Sequence, residues 1–149
     1  MELREYKESD CSRMAELFFQ TVHSVNKNDY NQHQLEAWAP ATVDLQKWNK
    51  RFLQNRTIVV IDNENIVGFG DIDETGYLDM LYVDKDYQGR GIATMICDRL
   101  ERYANGKTIT THASITAKPF FLHRGYRVIK KQEVIRFGVA LTNYVMEKS

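Results

Sequence analysis

Residues 77–104 read YLDMLYVDKDYQGRGIATMICDRLERYA, and this stretch decides the fold. Its opening run is apolar and rich in residues that favour strands, so residues 77–83 predict a β-strand. A charged loop at 84–87 separates this strand from QGRGIA at 88–93. The glycine-containing segment runs directly into a predicted helix, whose apolar positions repeat at intervals of three and four: Ile92, Met95, Ile96 and Leu100.

The two glycines of this turn, Gly89 and Gly91, indicate a binding site for a phosphate group. Glycine leaves the backbone bare and permits the positive φ angles that a tight turn needs. The first N–H groups of a helix have no partner within the helix, and the helix dipole adds partial positive charge there. A strand, a glycine turn and a helix N-terminus in this order form a cradle for phosphate oxygens.

Two common phosphate-binding motifs do not match this turn. A P-loop requires GxxxxGK[ST], and no such string occurs in the chain. A dinucleotide fingerprint requires glycine or alanine where this chain has Thr94, and an acidic residue about 20 positions further on. Residues 109–111 are Ile-Thr-Thr at that distance, so a dinucleotide site is a poor interpretation.

QGRGIA instead fits the pattern Q/R-x-x-G-x-G/A, and with LDMLYVD before it and a helix after it the segment resembles the GCN5-related N-acetyltransferases (GNAT). In that family the pattern binds the pyrophosphate of acetyl-CoA. A second family pattern, N-x-x-A-x-x-x-Y-x-x-x-G-F/Y, matches the spacing of residues 114–126. The resemblance covers nearly the whole chain, is strongest over 66–146 and weakest over 23–56, and points to a bacterial acetyltransferase of the small-molecule type.

The element order supports the same fold. Periodicity and turn residues predict strands at 2–6, 57–61, 66–73, 77–83, 108–113, 126–136 and 141–147, and helices at 11–25, 31–38, 43–54, 92–104 and 116–124. The predicted helices come first and are followed by an antiparallel meander and then by alternating strands and helices. This order is typical of an α/β fold. We expect one GNAT-like domain over residues 1–149, with a mixed, mostly antiparallel central sheet and helices on both faces.

The resemblance implies acetyl-CoA as co-substrate and assigns residues to it. Main-chain groups of the central strand are expected to hold the pantetheine arm, the turn and the start of the helix to hold the pyrophosphate, and two further positions to contact the arm. These cofactor residues are Leu81, Tyr82, Val83, Gln88, Gly89, Arg90, Gly91, Ile92, Ala93, Thr94, Ser114 and Phe121.

The reaction implied is direct transfer of the acetyl group to an amine in a ternary complex. An acidic residue near the thioester must take the amine proton, and we expect Asp79, on the central strand, to do so; a solvated strand-face acid is the alternative. The family's tyrosine, which protonates the leaving thiolate, is replaced by Phe121, and its asparagine by Ser114. Another group or solvent must then protonate the thiolate, or the protein is a non-catalytic acyl-CoA-binding module.

The acceptor is expected near the first helices, where several polar and aromatic residues are crowded. Aromatic faces and a carboxylate suit a cationic amine, whether it belongs to a small molecule or a protein. The alternative is that these residues fill the core and cap helix ends. The candidate acceptor residues are His23, Asp29, Tyr30 and Trp38.

Composition excludes several other classes of function. The chain has 20 basic and 20 acidic residues, so no basic field exists to bind nucleic acid. No apolar run approaches the roughly 20 residues of a membrane helix, and no signal peptide is evident. Two cysteines without a scaffold pattern indicate the cytoplasm, and four histidines without ligand spacing give no metal site. The apolar segment 139–146 is a candidate for pairing two subunits into a homodimer.

Overall fold

The computed structural model describes residues 1–149 and contains a seven-stranded sheet with five α-helices. A short 3₁₀ turn, Glu8–Asp10, precedes the first helix. In chain order the elements are β1 (Glu2–Glu5), α1 (Cys11–Val25), α2 (Gln32–Trp38), α3 (Leu45–Gln54), β2 (Arg56–Asp62), β3 (Asn65–Ile72), β4 (Tyr77–Val83), α4 (Ile92–Ala104), β5 (Ile109–Ser114), α5 (Lys118–His123), β6 (Arg127–Arg136) and β7 (Val139–Lys148).

The strands are ordered β1-β2-β3-β4-β5-β7-β6 across the sheet. All neighbouring pairs are antiparallel except β4 and β5, which are parallel. The parallel pair is joined only at Tyr77–Thr110 and Leu78–Thr111. Beyond Leu78 the two strands have no paired residues, so the sheet opens into a gap in its centre. A gap of this kind leaves main-chain groups free to bind an extended ligand.

Helices cover both faces of the sheet. One hydrophobic cluster contains residues of α4 and α5, and the other contains residues of α1, α2 and α3. Helix α4 lies very close to β3 because Gly68 and Gly70 have no side chains: a Cβ atom at either position would lie 2.8 Å from a side-chain carbon of Ile92 or Ile96. These glycines therefore fix the start of α4 against the sheet, next to the gap.

Side-chain hydrogen bonds set where helices α2 and α3 begin. The Asn31 side chain accepts a hydrogen bond from the Gln34 N–H at 2.9 Å, while the Gln34 side chain accepts from the Asn31 N–H. This reciprocal pair is a capping box at the start of α2. The Asp44 carboxylate accepts from two N–H groups in the first turn of α3.

The predicted α/β fold, with a mixed and mostly antiparallel sheet and helices on both faces, is confirmed. Pairing of two subunits through 139–146 stays a prediction. Strand β7 lies between β5 and β6 and is paired on both of its edges, so β7 has no free edge to add a strand of a second chain. The structure has no helix with the length and apolar character needed to cross a bilayer.

Candidate active site

The glycine turn after β4 presents an open backbone surface. Gly89 and Gly91 have φ angles of +74° and +78°, and no atom lies within 4 Å of where a Cβ would stand at either position. Gly91 is the N-cap of α4, so the first N–H groups of that helix face the same open space. This local geometry suits an anion such as a diphosphate.

Gln88 shapes the turn through its side chain. Its Nε2 donates to the Val83 carbonyl oxygen at 2.7 Å and to the Asp84 carbonyl oxygen at 3.3 Å. The Val83 oxygen also accepts a hydrogen bond from the Thr21 hydroxyl at 3.1 Å. Both of its lone pairs are therefore used within the protein, and Val83 is left to contact a ligand through other atoms.

A cavity of about 440 Å³ extends from this turn into the gap between β4 and β5. We call it the cofactor cavity. Arg90 does not line it, because its guanidinium stacks on the ring of Tyr87 at 4.8 Å. Every other residue predicted for acetyl-CoA does line it: Leu81, Tyr82, Val83, Gln88, Gly89, Gly91, Ile92, Ala93, Thr94, Ser114 and Phe121.

A second cavity, of about 580 Å³, is bounded by α2, α3 and the β6–β7 hairpin. We call it the acceptor cavity. It carries both acidic and basic side chains: Asp44, Lys47, Arg51, Asp79 and Arg136. Its aromatic lining is extensive and comprises Phe18, Tyr30, Trp38, Trp48, Tyr77, Tyr82 and Phe137.

The two cavities meet where β4 and β5 part. Five side chains line both of them: Trp38, Asp79, Tyr82, His112 and Ser114. A ligand that enters the cofactor cavity along the gap can therefore reach a second ligand in the acceptor cavity. The arrangement allows two bound ligands to meet at a shared point.

Asp79 stands at this junction because β4 contains a bulge. Asp71 pairs with Met80 and Ile72 with Leu78, so Asp79 is the extra residue. The Asp71 carboxylate holds the bulge by accepting a hydrogen bond from the Met80 N–H at 2.8 Å. The Asp79 carboxylate lies 3.4 Å from the Nε atom of Arg51 on α3.

Asp71 is a buried acid that sequence inspection missed. Burial, and then the negative charge of Asp79, raise the pKa of Asp71 to about 6, although a hydrogen bond donated by Asn55 at 3.0 Å opposes the shift. The only sequence signal was a lone carboxylate within an apolar strand. Nothing in the sequence indicated that it would face the bulge of the neighbouring strand.

Tyr82 contributes a hydroxyl group to the junction. Its oxygen accepts a hydrogen bond from Trp38 Nε1 at 3.2 Å, and its own hydrogen has no acceptor within the protein. Burial raises the pKa of Tyr82 well above its ordinary value, against the opposing effect of the Trp38 hydrogen bond. The hydroxyl is thus protonated at neutral pH and free to donate to a ligand.

Phe121 and Ser114, which replace the tyrosine and asparagine of the family pattern, are both held by contacts within the protein. Phe121 is 2% exposed and its ring packs on those of Phe120 and Tyr126 at centroid distances of 5.3 and 5.0 Å. The Tyr126 hydroxyl donates to Glu101 and is therefore engaged elsewhere. The Ser114 hydroxyl oxygen accepts from the Ala117 N–H at 3.0 Å, which fixes the turn that leads into α5.

The four predicted acceptor residues divide into two groups. Tyr30 and Trp38 line the acceptor cavity, and Tyr30 is held by hydrogen bonds to Thr142 and Ile115. His23 and Asp29 line neither cavity. His23 Nε2 lies 2.8 Å from the carbonyl oxygen of Ala39 at the end of α2.

Asp29 is turned away from the acceptor cavity by a contact with the loop before α5. Its carboxylate accepts from the Thr116 hydroxyl at 2.7 Å. His23 and Asp29 therefore each connect two segments of the chain and do not border the acceptor cavity. The structure shows no group of three or more His, Cys, Asp or Glu side chains arranged to hold a metal ion.

Comparison with known proteins agrees with this geometry. A family model for the acetyltransferase (GNAT) domain matches residues 26–148. The uncharacterized N-acetyltransferase YafP of Escherichia coli (strain K12) is 33% identical over 146 residues, which cover 98% of this chain and 94% of that protein.

Solved structures show the same fold. A GCN5-related N-acetyltransferase from Rhodopseudomonas palustris, described as an aminotransferase of class II, superposes with a TM-score of 0.95 at 34% identity and covers 99% of this chain and 94% of its own. YncA of Salmonella typhimurium, a putative acetyltransferase solved with its cofactor acetyl-CoA, superposes with a TM-score of 0.73 at 20% identity, covering 99% and 92% of the two chains. On the strength of the matched family model and of close relatives that span the chain, this protein belongs to the GNAT family of acetyltransferases.

Proposed function

We propose that this protein transfers the acetyl group of acetyl-CoA to a primary amine of a small molecule or a protein, by direct attack in a ternary complex. One observation carries the proposal: two cavities share lining residues at the gap between β4 and β5. Donor and acceptor can therefore be bound together, which removes the need for a covalent enzyme intermediate. The free, buried thiols of Cys11 and Cys97 support action in a reducing cytoplasm.

The cofactor cavity fits acetyl-CoA in its chemistry. The open backbone at Gly89 and Gly91 and the start of α4 suit the diphosphate, with Thr94 beside them. The unpaired portion of β4 can accept the pantetheine arm as an added strand. Main-chain N–H groups of that strand supply a donor for the thioester oxygen as it becomes negative. A GNAT fold that holds acetyl-CoA in YncA supports this assignment.

The transfer requires two proton movements. The amine attacks the thioester carbon, a C–N bond forms and the C–S bond breaks. Asp79 is placed at the junction of the two cavities to take the proton that the nitrogen loses, directly or through water. Arg51 holds the Asp79 carboxylate from the acceptor side.

The sulfur of CoA must gain a proton as it leaves, and we assign its donation to Tyr82. The family's tyrosine is absent because position 121 is phenylalanine. The Tyr82 hydroxyl lies at the junction with its hydrogen unused, and Trp38 can stabilise the negative oxygen that remains after transfer. Tyr82 on strand β4 thus supplies the hydroxyl that helix α5 lacks at position 121.

A second candidate function follows from the same substitution. Phe121 is apolar and buried, so a protein that had lost its proton donor would still bind acyl-CoA. Such a protein would act as a non-catalytic acyl-CoA-binding module.

A thiol-release assay with acetyl-CoA and a broad panel of primary amines separates the two functions, with mass spectrometry of the product as confirmation. We expect CoA release that depends on the amine, and a product 42 mass units heavier than that amine, as replacement of one hydrogen by an acetyl group requires. Tight binding of acetyl-CoA without any amine-dependent release would favour the binding module and overturn the enzymatic proposal.

A further inference from the structure

The acceptor cavity contains more positive charge than its acids neutralise. Arg51 is paired with Asp79. The Asp44 carboxylate accepts hydrogen bonds from the Gln46 and Lys47 N–H groups and so serves the start of α3. The side chains of Lys47 and Arg136 enter no ion pair in the structure. Since the whole chain has no net charge, this local excess is specific to the cavity.

The cations come from two separate walls. Lys47 and Arg51 are four residues apart on α3 and therefore share one face of that helix. Arg136 ends β6 and pairs with Val139 across the hairpin turn. The side chain of Phe137, in that turn, also lines the cavity and is 82% exposed. An anionic group placed between α3 and the hairpin would thus be reached from both sides.

Asn143 is an unsatisfied polar side chain in the wall of the acceptor cavity. It lies on β7 and lines the acceptor cavity. Its Oδ1 atom is buried and has no hydrogen-bond partner, and it is the one such side-chain atom in the structure. Buried polar atoms in native proteins are nearly always paired. The unsatisfied amide marks a polar position in the wall of an otherwise largely aromatic cavity.

The rest of the cavity is largely aromatic. Seven aromatic side chains line it, as described above. Its volume of about 580 Å³ lies within the roughly 300–1,000 Å³ of typical small-ligand sites. These walls favour a compact ligand that carries an apolar or aromatic group.

We propose that the acceptor is a small zwitterion, in which a primary amine and a carboxylate are carried on a compact apolar or aromatic body, as in an aromatic α-amino acid. The amine is directed to Asp79, and the carboxylate to Arg136 and Lys47. Guanidinium groups recognise carboxylates with two parallel hydrogen bonds, which gives orientation as well as affinity. This inference rests on the proposed acetyl transfer and names the substrate class of the same site.

Matched pairs of amines test the inference. Phenylalanine is compared with 2-phenylethylamine, and tryptophan with tryptamine, because each pair differs only in the carboxylate. We expect kcat/KM to be higher for the amino acid by roughly tenfold or more, as a charge-assisted hydrogen bond requires. Equal or faster acetylation of the decarboxylated amines, or transfer to other amines but to neither pair, overturns the inference and leaves the acetyltransferase intact. Transfer to no amine at all removes the proposed function itself.

Variants locate the anion contact. Arg136→Gln is expected to raise KM for the amino acid by about tenfold and to leave the KM of the decarboxylated partner nearly unchanged. Lys130→Gln is the control, since it removes a positive charge from the same strand at a residue that lines neither cavity. An unchanged preference for the carboxylate in Arg136→Gln, with wild-type thermal stability, would contradict the assignment of this arginine.

Discussion

Trp38 on α2 donates a hydrogen bond from its indole nitrogen to the hydroxyl oxygen of Tyr82 on β4, at 3.2 Å. The contact joins the helix that covers the acceptor cavity to the strand that borders the cofactor cavity. It also determines what the hydroxyl can do. With its oxygen already accepting from an indole, Tyr82 is left with a proton to give.

Removing that hydroxyl should slow the chemical step. Tyr82→Phe keeps the ring that packs against Phe18 and deletes only the proton donor. We expect kcat to fall by about a hundredfold or more, the usual contribution of general acid catalysis, without a change in acetyl-CoA affinity. Steady-state kinetics and calorimetry measure the two effects. Tyr103→Phe, on α4 and outside both cavities, is the matched control.

Phe121→Tyr tests the same assignment in the opposite direction. It returns a hydroxyl to the position where the family carries one, on the cofactor side of the gap. In the Tyr82→Phe background we expect it to recover part of the lost kcat. A Tyr82→Phe enzyme with full activity would show that Tyr82 is not the proton donor.

Asp79→Asn should lower turnover by about a hundredfold and change the pH profile of kcat/KM, because the amide has the same shape but cannot take a proton. Acetyl-CoA affinity should stay unchanged, since the diphosphate site lies at the other end of β4. Glu133→Gln, a carboxylate on β6 that lines neither cavity, controls for loss of charge. Parallel pH profiles for Asp79→Asn and the wild type would remove this residue from the mechanism.

Asp71 should make stability depend on pH. Its pKa of about 6 in the folded state exceeds the ordinary value of about 3.9 in an unfolded chain. The folded state therefore binds this proton more tightly than the unfolded state does. The resulting contribution to the unfolding free energy is lost as the pH rises from about 4 to 6. The unfolding free energy of Asp71→Asn minus that of the wild type should therefore increase by on the order of 2 kcal/mol from pH 4 to pH 7.5.

Urea unfolding of both proteins at the two pH values gives this difference directly. The comparison cancels the titration of groups that the substitution leaves alone. A difference in unfolding free energy that is the same at pH 4 and pH 7.5 would mean that Asp71 titrates normally in the folded protein.

The strand–turn–helix at 77–104 was predictable because its signals are local. Glycine spacing, the apolar strand and the helical period lie within 28 consecutive residues, and the structure forms these elements at Tyr77–Val83 and Ile92–Ala104. The bulge at Asp79 was not predictable in the same way. It depends on a carboxylate at position 71, on a neighbouring strand, whose partner is a main-chain N–H.

The acceptor cavity shows the limit of local patterns most clearly. Its cations come from α3 and from the end of β6, so they are adjacent only because β7 inserts between β5 and β6. His23 and Asp29 are near Tyr30 in sequence, yet their side chains are directed to Ala39 and Thr116. Proximity in the sequence could not indicate which of these side chains face the cavity.

The phosphate site can be tested with two glycines at opposite ends of α4. Gly91 and Gly106 both have positive φ angles, and no atom lies within 4 Å of a Cβ at either position. An aspartate has comparable backbone strain in both places, but only at position 91 does its carboxylate meet the diphosphate. Gly91→Asp should abolish CoA binding measured by calorimetry, and Gly106→Asp should preserve it. Equal affinities in the two folded variants would show that the phosphate site lies elsewhere.

The most direct measurement is a thermal-shift comparison of acetyl-CoA, CoA, NAD and ATP, because a ligand that binds only the folded protein raises its melting temperature. We predict a rise of several degrees with acetyl-CoA and CoA, none with NAD or ATP, and loss of the CoA response in Gly91→Asp. No response to either CoA compound, or an equal response to NAD or ATP, would contradict the assignment of the β4–β5 gap as an acetyl-CoA site.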